Sequence, residues 1–196
     1  MGRTLTFNRD EIVEKAMHLF WEHGYQGTSV KMLESTLELR PGSIYYSFGN
    51  KDRLYSEALG LYAKQLKNEL DSAIFHEGTL TEGLKQFLFN VAIPNGNSHP
   101  SRACMIVKTL SELADGGGKI AKKADGLLQA MEDYFVEILD SAKSRDEIVL
   151  SKDSRDIARR LQVLIIGIRG FAQRDNVHNQ LPSMINDAID GLIATP

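Results

Sequence analysis

Apolar residues recur along this chain at helical spacing, and no run alternates as a half-buried strand would. Ile12, Val13, Ala16, Leu19 and Phe20 form one stripe over residues 9–24. Asn8 with Glu11 reads as a cap and its reciprocal acid, and Gly24 as the stop. Thr28 or Ser29 then caps a short second helix carrying Val30, Leu33 and Leu37. Pro41 stands where a third short helix should begin, because a missing N–H costs nothing in a first turn. Asn50 caps a fourth helix expected to run to about residue 72, roughly 30 Å at ~1.5 Å per residue.

Further helices are expected over 80–92, 102–114, 120–142, 154–174 and 182–194. Pro94 with the following NGNSHP, and Gly116-Gly117-Gly118, act as breakers. The expected fold class is all-α: an N-terminal three-helix unit (1–52), then a larger helical body (53–196). No internal repeat or low-complexity segment is evident.

Composition changes this picture little. Hydrophobic residues make up 42% and charged residues 25% of the 196, as in an ordinary globular protein. The formal charge is −3, so any affinity for nucleic acid must come from local arrangement. Within 1–53 the bases Arg3, Arg9, Lys15, Lys31, Arg40, Lys51 and Arg53 are matched by as many acids. One cysteine, Cys104, excludes an intrachain disulfide and a multi-cysteine metal site. No signal peptide or membrane span is legible, which points to a cytoplasmic chain. His18, His23, His76, His99 and His178 form no metal-ligand spacing, and no phosphate loop or nucleophile elbow follows a strand. Neither an enzyme, a metal nor a cofactor is expected.

Two short helices joined by a three- to four-residue turn describe a helix-turn-helix, whose second helix enters the major groove. That helix is Arg40-Pro41-Gly42-Ser43-Ile44-Tyr45-Tyr46. Ile44 anchors it to its own domain, leaving Arg40, Ser43, Tyr45 and Tyr46 to project. Hydroxyls suit phosphates and flat rings suit thymine methyls. Tyr45 is open between core packing and DNA contact, while Tyr46 faces DNA. Trp21, Phe20 and Phe48 read as core, and Lys31 and Arg53 as solvated surface. Lys51 stands beside the first-turn N–H groups of the fourth helix, an anion site.

The segments Gly24-Tyr25-Gln26-Gly27-Thr28-Ser29-Val30, Leu39 through Lys51, and Leu54-Tyr55 resemble the TetR family of repressors. The resemblance implies phosphate contacts from Thr28 and Lys51, and a groove face made by Arg40, Pro41, Gly42, Ser43, Tyr45 and Tyr46. Two residues depart from the pattern: Glu38 stands where the family has a turn glycine, and Glu34 where it has a small residue.

Pairing needs an apolar surface beyond that of one core. In residues 157–172, Leu161, Leu164, Ile165, Ile168 and Phe171 form the expected interface stripe, with Val163, Ile166, Gly167 and Gly170 filling the remaining circumference. The resemblance places a four-helix dimer interface there. It also places a pocket for a small-molecule effector between 56 and 143, for which Tyr62, Phe87, Met105, Met131 and Phe135 are candidate walls. The expected partners are operator DNA, a second copy of the chain and that effector. Cys104 follows Arg102 near a helix start, so it is either a redox or electrophile sensor or a small buried hydrophobe. A helical protein-interaction module with an inactive DNA domain is the remaining alternative, suggested by Glu34, Glu38 and the negative charge.

Overall fold

A computed structural model describes residues 8–93, 100–101, 103–113 and 118–194, without the side chains of Pro41 and Tyr45. The helices are α1 (Arg9–Gly27), α2 (Val30–Leu37), α3 (Pro41–Phe48), α4 (Lys51–Glu77), α5 (Leu80–Ala92), α6 (Met105–Leu113), α7 (Gly118–Ser144), α8 (Ser154–Phe171) and α9 (Leu181–Leu192). Helix starts follow their caps. The side-chain oxygens of Asn8, Ser29 and Asn50 accept from the backbone N–H of Asp10, Met32 and Arg53 at 3.1, 3.2 and 2.9 Å. Asn8 also donates to Glu11 at 3.1 Å, so the reciprocal pair forms between side chains.

Helix α4 runs five residues past the expected end because Ala73 and Ile74 continue its packed face. It stops at Gly78, left-handed at φ 76°. Its neighbour α5 crosses so closely that a Cβ on Gly83 would stand 2.5 Å from Ile74 Cα. Gly118 opens α7 and does not close α6. The other proposed breakers, Pro94 to His99 and Gly116-Gly117, lie outside the described residues. A two-residue antiparallel ladder, unanticipated from the sequence, pairs β1 (Val149–Leu150) with β2 (Ile193–Ala194). It fastens the α7–α8 connection to the end of α9.

α4 is the central strut, touching α1 and α3 at one end and α5, α6 and α7 along its length. One apolar core extends without a break from Ile12 on α1 to Ile193. The interface stripe on α8 is divided by this packing. Leu161, Ile165 and Ile168 are buried within the subunit, and Leu164 and Phe171 are half-buried against it. They face the subunit's own core because α8 packs on α5, α7 and α9. The opposite face carries Val163, 69% exposed, and Gly167 and Gly170, whose Cβ positions have nothing within 4 Å. No helix among the described residues is long and apolar enough to cross a membrane.

Candidate nucleic-acid interface

The turn between α2 and α3 is built on Glu38, whose backbone is left-handed at φ 54° and ψ 31°. Its N–H and that of Leu39 both reach the carbonyl of Glu34. The carbonyl of Arg40 then accepts from Ser43 N–H at 2.8 Å, which starts α3. Ile44 and Phe48, one turn apart, are buried beside Leu33 and Leu37 and fix the inner face of α3. The outer face holds Gly42, half-exposed Ser43 and Tyr46, which is 94% exposed. Arg40 is exposed in the turn. The groove roles expected for the side chains of Pro41 and Tyr45 fall outside the described residues.

Thr28 is not placed to touch a phosphate with its side chain. It is fully buried, and its hydroxyl donates to Gly24 O at 2.7 Å. The reason is the break in α1: Gly24, at φ 78° and ψ 176°, frees a carbonyl that Thr28 satisfies. Lys51 keeps its place in the first turn of α4. Its amine lies 4.3 Å from the centre of the Tyr25 ring, and the Tyr25 hydroxyl donates to Asp52 at 2.5 Å. Burial lowers the Lys51 pKa, with the charges of Asp52 and Glu112 opposing it. Burial, then the hydrogen bond to Asp52, pushes the Tyr25 phenol up to about 12. Lys51 is therefore held against a fixed ring at the helix start.

Several contacts that the sequence did not reveal hold this unit in place. Arg9 donates to Ser47 O at 2.8 Å and to Glu57 at 2.6 and 2.9 Å, and lies 4.3 Å over the Phe48 ring. Across the molecule, α6 is bound to α1 by a polar seam. Trp21 Nε1 donates to Ala103 O at 2.6 Å, and Lys108 Nζ to Glu22 O at 2.9 Å. Glu112 accepts from the Gln26 N–H exposed by the Gly24 break, at 3.1 Å. These partners are dozens of residues apart, so no local spacing reveals them.

The five candidate pocket walls separate. Tyr62 borders a cleft of about 380 Å³ between α1, α4 and α8, together with Glu14, His18, Trp21 and Arg169. Phe87, Met105 and Phe135 are enclosed in the core, and Met131 packs half-buried at its edge. Their helical spacing is core spacing. Cys104 is half-buried immediately before α6, its carbonyl accepting from Lys108 N–H at 2.9 Å. Arg102 lies outside the described residues.

An exposed reading helix on a compact three-helix unit, joined to a larger helical body, defines a DNA-binding regulator. Residues 12–58 match the sequence model of the bacterial regulatory proteins of the tetR family. The chain is 26% identical over 168 residues to the HTH-type transcriptional repressor ComR of Escherichia coli K12, covering 85% of this chain and 80% of that protein. Its fold is similar to a cysteine mutant of the TetR family regulator CifR complexed with 26-base-pair operator DNA. There the TM-score is 0.84 at 22% identity, over 99% of this chain and 100% of that one. The reduced form of E. coli NemR is similar at TM-score 0.76 and 18% identity, over 96% and 97% of the two chains. Residues 12–58 thus carry the sequence pattern of the tetR family, and the relatives named here are transcriptional regulators.

Proposed function

We propose that this chain is a repressor that binds palindromic operator DNA as a homodimer and is released by a small-molecule effector. The observation that carries the reading is Tyr46, almost wholly exposed beside Gly42 and Ser43 on a helix whose other face is anchored by Ile44 and Phe48. Arg40, Ser43 and Tyr46 address base edges, and Gly42 lets the backbone approach. Lys51 and the first-turn N–H groups of α4 address a phosphate. The family resemblance adds Pro41 and Tyr45 to the groove face. Residues 1–52 form the reading unit and 53–196 the sensing and pairing unit. Two copies meet through the outer faces of α8 and α9 and read half-sites about 34–36 Å apart or a multiple of that. ComR is a repressor and CifR is held on operator DNA, which supports the same role here.

The effector acts through α4, which is common to both units. Of the candidate walls, Tyr62 is the one that borders an open cleft, so the cleft between α1, α4 and α8 is the favoured site. The test is selection of random duplex DNA by the purified protein, repeated with Tyr46→Ala. A palindrome enriched by the wild type and lost in the variant supports the reading. No enrichment at low salt sinks it and favours a helical interaction module.

A second reading concerns Cys104. It adjoins Ala103, whose carbonyl receives both Trp21 of α1 and Arg169 of α8. Addition of the thiol to a quinone, with its proton passing to the ring oxygen, would put bulk at this junction. Benzoquinone should then weaken operator binding in the wild type and not in Cys104→Ser. Equal weakening in both proteins removes the sensor.

A further inference from the structure

Helix α3 is eight residues long, too short to hold its shape without tertiary support. Its inner face is fixed by Ile44 and Phe48, but its final carbonyls have no partner within the helix. Arg9, at the start of α1, supplies one. Its Nη1 donates to Ser47 O at 2.8 Å. Its Nη2 lies between both oxygens of Glu57 on α4, at 2.6 and 2.9 Å. The same guanidinium lies 4.3 Å over the ring of Phe48. A single exposed ion pair is worth little. Here one planar group makes every contact at once, so it cannot follow α4 without pulling on the end of α3.

We propose that Arg9 is a positioning residue, and that the Glu57–Arg9–Ser47 relay transmits the position of α4 to the reading helix. The proposal rests on the DNA-reading function above and specifies how that function is regulated. A shift of α4 moves the Glu57 carboxylate, the guanidinium follows it, and the last turn of α3, which carries Tyr46, is retilted. Arg9 does not serve as a phosphate ligand, because its charge is committed to Glu57. It does not act as a passive surface pair, because the Ser47 bond joins it to the reading element.

The full-length chain and its Arg9→Gln, Glu57→Gln and doubly substituted forms test this by two readouts. The first is backbone hydrogen exchange over residues 41–50 in the free protein, with α7 as internal control. Each single change should speed exchange there about fivefold or more, leave α7 unaltered, and add nothing in the double variant. The second readout is operator titration across salt concentrations. Affinity should fall about fivefold or more in every variant, within the range of allosteric couplings, with the salt slope unchanged. Unaltered exchange at 41–50 in Glu57→Gln, or effects that multiply in the double variant, would overturn the relay. So would a salt slope reduced by about one in Arg9→Gln alone, the mark of a lost phosphate contact. If the wild type enriches no operator, the DNA reading fails, and the exchange measurement still decides the relay.

Discussion

Glu38 holds a position where a side chain is a burden. Its left-handed backbone is unfavourable for an L-residue with a Cβ, and its carboxylate stands in the turn that leads into the reading helix. Glu38→Gly should therefore raise stability by up to about 1 kcal/mol, read as a higher urea midpoint. It should also tighten operator binding without changing the selected sequence, since a like charge near the phosphates is removed. Unchanged affinity would place the carboxylate away from the DNA. The turn was legible because two short helices flank it at helix-turn-helix spacing; Thr28 was misread because a sequence shows a hydroxyl but not its direction. Two tyrosines in ring contact between α1 and α4 give a pH signature. Tyr25 and Tyr55 are both held at about 12, mainly by burial. A raised folded pKa means that above about pH 10 the unfolded chain has released protons the native state keeps. Their contribution to stability is whole below that pH and is lost as pH rises toward 12. Urea midpoints should thus decline between about pH 10 and about pH 12, less steeply in Tyr25→Phe. A slope unaffected by that change would show that Tyr25 titrates alike in both states.

At the level of elements, helix starts were legible because caps and stripes are local signals, and Asn8, Ser29 and Asn50 each cap the helix that follows. The β1–β2 ladder and the α6–α1 seam were not, because each joins segments far apart in the chain and neither has a periodicity of its own. Gly24 shows how the two kinds of information meet. Its place as a stop could be read, but the break also leaves room for a distant carboxylate: a Cβ built there would be 1.8 Å from Glu112 Oε1. The backbone at φ 78° and ψ 176° is a region that only glycine enters readily. Gly24→Ala should cost about 1–3 kcal/mol for the backbone alone, with displacement of Glu112 in addition. Because Glu112 receives the Gln26 N–H, the seam should loosen as well, seen as faster exchange in α6. A loss of stability confined to α1, with α6 unchanged, would show that the seam is held by Lys108 and Trp21 without Glu112.

For the whole molecule, the chain's apolar excess on α8 was visible, but how much of it the chain's own core takes was not. Hydrophobicity marks Leu161, Ile165 and Ile168 most strongly, and those are the residues the subunit keeps for itself. What remains outside is a shallower surface: Val163, Gly167 and Gly170 along α8, and Met184, Ala188 and Gly191 along α9. Small residues expose little apolar area, yet they let a second helix pair approach closely enough to gain dispersion contacts along its length. The open Cβ position at Gly167 makes a direct test possible. A Cβ there has nothing within 4 Å, Gly167 is exposed, and alanine-like helix propensity even favours the exchange. Gly167→Arg should therefore leave the thermal midpoint of the subunit fold intact while inserting bulk and charge into the pairing face. Sedimentation should show a dimer for the wild type and a monomer for the variant. Operator affinity should fall with it, because one reading helix then works without its symmetry mate, while a half-site is still bound weakly. A variant that remains dimeric would move the pairing surface off this face of α8 and leave the reading unit's role untouched.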